Sequence, residues 1–251
     1  MIEINRQENT AVITLNRPEK RNALNPELVS DIKAGLAEAA ADNNIKVVVI
    51  TGSGNSFCAG ADLDYLNKLT SYSSIDNIKD SENLAGLFLS LYKFPKPVIA
   101  AVNGPAIAGG CGLASVCDFI VADELNAKFG YTEVKIGFLP AIVSLFLIRR
   151  TGEGFAKQLL LSGEVINAAR AYEIGFVNYL AGSVMEKSLD LAGKLGRNSA
   201  LSMSLAKKMI HTVSGMSIDE AVYYCTQLNV ISRSSEDFKI NLTNFTRKSG
   251  E

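Results

Sequence analysis

The chain has 251 residues, with 25 Lys and Arg against 26 Asp and Glu, a formal net charge of −1, one His, four Cys and no Trp. Its 47% hydrophobic and 20% charged fractions belong to a globular chain with one sizeable core and an appendage, and exclude a disordered or fibrous one. The balanced charge gives no electrostatic ground for a nucleic-acid or anionic-membrane partner, and the lone His211 excludes a zinc site built from several histidines.

Alternating β-prone residues at 2–6 and 11–15, split by Glu8-Asn9, predict a hairpin. Asn25-Pro26 is a helix start, with Asn as N-cap and Pro at the first helical position, and an amphipathic run follows to about Ala41. Residues 46–50 form a continuous apolar strand of the kind buried on both faces of a parallel sheet. A helix is predicted over 81–92 and a second buried strand over 97–102. A glycine-rich stretch, 104–112, passes into a small-residue helix ending near Cys117, and a third strand follows at 118–122. Helical patterns then dominate: 141–150, 154–161 and 168–174, a short strand at 176–180, and three or four helices to the end. The alternation predicts an α/β fold with right-handed crossovers.

Cys58, Cys111, Cys117 and Cys225 show no CxxC spacing, which predicts four reduced thiols in a cytoplasmic setting. The N-terminus lacks a basic region followed by an apolar one, and the apolar run 141–148 is far short of the ~20 residues a membrane helix needs.

Two loops after buried strands carry the chemical signal: Thr51-Gly-Ser-Gly-Asn-Ser-Phe-Cys-Ala-Gly-Ala-Asp-Leu63 and Asn103-Gly-Pro-Ala-Ile-Ala-Gly-Gly-Cys-Gly112. Ligands of open α/β sheets sit beyond the carboxyl ends of strands, and glycine there lets backbone N–H groups approach them closely. The Gly52-Ser-Gly54 pair lacks the third glycine of a dinucleotide fingerprint, and no GK[ST] follows either loop. Cys111, on an apolar small-residue helix, reads as an inert buried thiol, and His211 as a packed or partly exposed residue of a late helix rather than a catalyst.

Four ordered motifs resemble the crotonase, or enoyl-CoA hydratase/isomerase, superfamily across nearly the whole chain: Asn16-Arg-Pro-Glu-Lys-Arg-Asn-Ala-Leu24, Ser56-Phe-Cys-Ala-Gly-Ala-Asp-Leu63, the stretch 96–114 with Cys117-Asp118, and Lys128-Phe-Gly-Tyr-Thr-Glu-Val-Lys-Ile-Gly137. The resemblance implies a crotonase-like spiral of ββα units over 1–190 and a helical trimerisation region over 191–251, in a homotrimer or a hexamer made as a dimer of trimers. It implies an acyl-CoA thioester as substrate, with coenzyme A arriving as part of it and no metal or separate cofactor. The Ala61 and Gly109 amides would form an oxyanion hole, which suits a thioester that becomes an enolate, because fixed donors stabilise charge as it develops. Glu133 would be the acid/base, its pKa raised by an apolar pocket. Lys20, Arg21, Ala23, Asp62, Leu63, Gly110, Gly112, Phe245 and Lys248 would contact substrate or coenzyme A.

Two departures from the family pattern stand out. A second glutamate expected in the Gly-Gly-Cys-x-Leu motif is replaced by Gly112, and the glycine-rich stretch expected after Pro140 reads Ala-Ile-Val-Ser-Leu-Phe-Leu. The expected activity is hydration of a 2-enoyl-CoA or of 3-methylglutaconyl-CoA in leucine breakdown. The alternatives are a Δ3,Δ2-enoyl-CoA isomerase without hydratase activity, and an acyl-CoA-binding protein with little catalysis.

Overall fold

In the computed structural model, which describes residues 1–248 and the side chains of 1–243, the opening alternation folds as read. Strands β1 (Ile2–Gln7) and β2 (Thr10–Leu15) pair antiparallel. Helix α1 (Pro26–Ala41) starts where the Asn25 side chain accepts the Leu28 N–H at 2.9 Å, and it buries Leu28, Val29, Ile32, Leu36 and Ala39. After β3 (Val47–Gly52) come α2 (Leu63–Leu69) and α3 (Ser74–Tyr92), then β4 (Val98–Val102), β5 (Ala106–Ile107) and α4 (Gly109–Ser115). The chain continues through β6 (Phe119–Asp123), β7 (Lys128–Gly130), a 3-10 turn Glu133–Ile136, α5 (Ala141–Ser162), β8 (Val165–Asn167), α6 (Ala168–Glu173) and β9 (Tyr179–Ala181). It ends in α7 (Val184–Gly196), α8 (Ala200–Val213), α9 (Ile218–Ser234) and α10 (Glu236–Lys248).

One sheet has the order β1-β2-β3-β4-β6-β9, parallel throughout except for the opening hairpin; a smaller one has the order β5-β7-β8. The period-two alternation of β3 serves two cores. Val48 and Ile50 face Leu28 and Ile32 of α1 and Leu87 and Leu91 of α3. Val47 and Val49, with Ile99, Ala101 and Val121, face Val184 and Ala192 of α7. Each such side chain withdrawn from water contributes roughly 1.5–3 kcal/mol, which holds the C-terminal ends of β3 and β4 rigidly side by side.

Two expectations are corrected and one is borne out. Helix α2 was not foreseen, and α3 begins at Ser74 rather than 81, because the Ser73 hydroxyl caps the Asp76 N–H on a polar, exposed first half. The two helices predicted over 141–150 and 154–161 are borne out: α5 breaks between them at Gly152, whose φ of 76° and ψ of 168° are non-helical. The strand predicted at 176–180 starts only at Tyr179, because the Phe176 and Val177 N–H groups turn back to the Ala171 carbonyl. Helices α8 and α9 bury no residue fully, and Ile218, Tyr223 and Val230 are exposed.

Candidate active site

The two signal loops leave the sheet where β3 and β4 end, and asparagines bind them together. Asn103 donates to the Gly52 and Gly54 carbonyls at 2.9 and 3.0 Å. Buried Asn22 donates to the Ser53 and Ser56 carbonyls at 2.9 and 2.8 Å and accepts the Arg17 N–H at 2.9 Å. Cys58 bridges to Ala106, and Leu24 bridges to Ala61. The latter bridge uses the Gly60 carbonyl, which accepts from the Leu24 N–H at 2.7 Å, and the Asp62 N–H, which donates to Leu24 at 2.8 Å. Successive backbone groups of an extended chain alternate sides, so the Ala61 N–H faces the opposite edge.

On that edge stands the start of α4. Gly60, at φ 89°, could carry no side chain: a Cβ would lie 2.8 Å from the Ala108 Cβ and 2.9 Å from the Ile107 carbonyl oxygen. Ala108, ahead of the helix, takes φ 53° and ψ −126°, a costly conformation for a residue with a Cβ, and its N–H donates to Gly130 at 2.7 Å. A Cβ built on Gly109 would be 4.0 Å from the Ala61 nitrogen, so the two backbones are adjacent. Neither the Ala61 nor the Gly109 N–H has an acceptor among the described residues; the latter is an orphan donor of a first helical turn. Two adjacent unspent donors are what an oxygen gaining charge requires.

The Ala108–Gly130 bond and the β5–β7 pairing bring the segment after β7 to the same place. Glu133 opens the 3-10 turn there and is 7% exposed, with Oε2 buried and unpartnered. Burial raises its carboxyl pKa above the ordinary value, a hydrogen bond from its own backbone N–H opposing only in part. Phe138 donates to the Glu133 carbonyl at 3.0 Å and fixes the turn. Fully buried Tyr131 packs beside Cys111 and Ser115. Burial pushes the Cys58, Cys111 and Cys117 thiols up to about 12, which removes them as nucleophiles. No cluster of His, Cys, Asp and Glu among the described residues could hold a metal ion, and no described helix is long and apolar enough to cross a membrane.

The sequence profile of the Enoyl-CoA hydratase/isomerase family matches residues 5–250. The chain belongs to that family, within the crotonase superfamily. It is 36% identical to the 2,3-dehydroadipyl-CoA hydratase of Escherichia coli over 98% of this chain and 95% of that protein. It is 34% identical to the crotonyl-CoA hydratase of Syntrophomonas wolfei over 98% of this chain and 95% of that one. The crystal structure of an enoyl-CoA hydratase from a Polaromonas species matches with a TM-score of 0.93 and 32% identity, covering 98% of this chain and 97% of that one.

Of the residues expected to contact substrate or coenzyme A, Lys20, Arg21, Ala23, Asp62 and Leu63 lie around the Ala61 loop. Lys20 pairs with Asp64 at 2.7 Å on the surface, exposed Arg21 accepts the Ala59 N–H through its carbonyl, and Ala23 is buried. Leu63 is 70% exposed. Asp62 is buried: its carboxylate pairs with Arg17 at 3.0 Å and caps the Asp64 and Tyr65 N–H groups of α2. Gly110 packs on the Cys58 carbonyl. Phe245 and Lys248 lie outside the residues whose side chains are described. His211 is half-buried and stacks on Tyr92, ring centroids 3.8 Å apart.

Arg17, Asn22 and Asn103 were not foreseen as parts of the site. They lie inside the quoted motifs, where a buried polar side chain tying loop carbonyls was the available signal. Val143 belongs to the bulky stretch noted after Pro140, but its contact with Gly112, 31 positions away, was not foreseen. A Cβ on Gly112 would meet the Val143 Cγ1 at 2.2 Å, so this valine occupies the space beside the position where a glutamate was expected.

Proposed function

We propose that this crotonase hydrates a 2-enoyl-CoA thioester, with Ala61 and Gly109 as oxyanion donors and Glu133 as acid/base. The observation carrying this reading is a buried carboxylate with one unpartnered oxygen, brought by β7 to the end of α4 where the unspent Gly109 amide stands beside that of Ala61. The Glu133 carboxylate takes a proton from water as the water oxygen bonds to C3. The π electrons move onto the thioester oxygen, where the amides stabilise them. The same carboxyl then returns a proton to C2, giving the 3-hydroxyacyl thioester with every atom accounted for. Its raised pKa suits both halves of the cycle near neutral pH. The hydratase names of the Escherichia coli and Syntrophomonas relatives support this direction.

Gly112 favours a second reading. With no carboxylate at that position, Glu133 acting alone moves a proton between C2 and C4 of a 3-enoyl-CoA, an isomerisation through the same enolate. Coenzyme A enters within the substrate in both readings, in the cytoplasm, and 3-methylglutaconyl-CoA is a candidate of the first. The exposed apolar residues Ile218, Val222, Tyr223 and Val230 on α9 suit assembly as a trimer or a hexamer.

Incubation with 2-enoyl- and 3-enoyl-CoA in deuterated water, followed by NMR, separates the readings. Hydroxyacyl product with deuterium at C2 is the expected result. Double-bond migration without hydroxyacyl product would establish the isomerase, and absence of exchange with every thioester would leave a binding protein.

A further inference from the structure

Gly112 stands three positions after Gly109, so the two share one face of α4 a turn apart. Helical Cα–Cβ bonds tilt toward the N-terminus, so a side chain at 112 would lean toward the amide pair. Val143 closes that direction: its Cγ1 and Cβ would lie 2.2 and 2.6 Å from a Cβ at 112. Val143 is 5% exposed and sits in the first turn of α5, and a β-branched side chain in a helix has one strongly preferred rotamer. Its methyl groups therefore form a fixed apolar wall behind the oxyanion donors, where a polar side chain is sterically excluded. Glu133 is near enough for its charge to act on Cys111, the neighbour of Gly112.

Resting on the acyl-CoA reading above, we propose that Val143 is a specificity-determining residue: seated on the bare Cα of Gly112, it limits the bulk accepted at the acyl carbons next to the thioester. Gly112 and Val143 form one steric unit, in which a larger residue at either position demands a smaller one at the other. The discrimination follows from volume, since one methylene in a hydrophobic pocket is worth roughly 10- to 200-fold in selectivity.

The test uses two saturated thioesters that cannot be hydrated, butyryl-CoA and the C3-branched isovaleryl-CoA, titrated calorimetrically into the full-length protein. V143A should raise the isovaleryl-to-butyryl affinity ratio by about tenfold, and V143I should lower it. G112A should weaken both thioesters, and V143A added to G112A should restore them. Melting curves identify any variant that fails to fold; the two Val143 substitutions move volume in opposite directions, so either alone decides. An unmoved ratio in a folded Val143 variant, or G112A binding like the wild type, overturns the proposal. If the wild type binds both thioesters but hydrates no 2-enoyl-CoA, the hydratase reading falls while the ratio still judges Val143. If it binds neither, both fall.

Discussion

The two ends of α4 are treated in opposite ways. At its C-terminal end the Arg150 guanidinium donates to the Cys117 carbonyl at 2.9 Å, to Phe176 at 2.8 Å and to the Asn178 side chain at 2.9 Å, and it reaches Ser115 at 3.4 Å. Lys207 pairs with Asp118 at 2.7 Å just beyond. This end is sealed, and its cations also complement the negative end of a helix. At the N-terminal end no side chain caps the helix, Ala108 sits in a strained conformation, and the Gly109 N–H is left over. Polar groups left unsatisfied are costly, so a fold that ties one end with an arginine and leaves the other open has placed that cost where a ligand can relieve it. A cavity of about 530 Å³ opens at the sealed end, lined by Cys117, Arg150, Lys207 and His211 among others, and none of the proposed catalytic groups faces it.

The contrast is broken most severely at Glu133. Glu133→Gln keeps shape and burial but removes the proton carrier, and kcat should fall by about 10²–10⁴-fold, measured by loss of enoyl absorbance with a 2-enoyl-CoA. Turnover unchanged from wild type would remove Glu133 from the chemistry. Next comes the open amide. Gly109→Pro deletes the N–H at the first helical position, where proline is otherwise tolerated, and should cost about 10²–10³-fold in kcat. Gly109→Ala is the control: it keeps the amide, and its Cβ meets nothing nearer than 3.6 Å, so it should retain most activity.

Substitution at the sealed end should have the reverse signature. Arg150→Met leaves the Cys117 and Phe176 carbonyls without their donor, at a cost of roughly 1–3 kcal/mol each. Thermal denaturation should move down by several degrees, while kcat per folded molecule stays close to wild type. A loss of kcat comparable to that of Gly109→Pro would mean that the two ends are coupled through the helix and that the division drawn between them is wrong.

The sequence is most legible where one residue type has one physical reason. The run Lys46-Val-Val-Val-Ile50 could only be a buried strand, and Asn25-Pro26 could only open a helix, and both do. The glycine loops were legible as places of close backbone approach, which Gly60 against Ala108 bears out. Where the reason is tertiary, the pattern is silent. The first half of α3 faces outward and shows no apolar period, and β7 and β8, three residues each, are strands only because they have each other and β5. The Arg17–Asp62 pair spans 45 positions. The replacement of a glutamate by Gly112 and the bulk after Pro140 read as two separate departures; the structure makes them one contact.

The smallest predicted effect is the one that most directly tests the cost of an open site. Glu133 is buried, its Oε2 has no partner, and its carboxyl titrates above the ordinary range because burial disfavours the charge. A carboxyl whose pKa is higher folded than unfolded binds its proton more tightly in the native state. Its contribution to stability is fully present below the unfolded value and is lost as pH rises through the folded one. Glu133→Gln cannot ionise and escapes that loss. Chemical denaturation of the two proteins should therefore give equal stability at a pH below the ordinary carboxyl range. The Gln variant should be the more stable one at pH 8, with the gap opening above the ordinary carboxyl range and complete once pH has passed the raised pKa. A gap of the opposite sign would mean that the ionised carboxylate is stabilised by groups it does not touch in this structure, and the site would then hold its base at no cost to the fold.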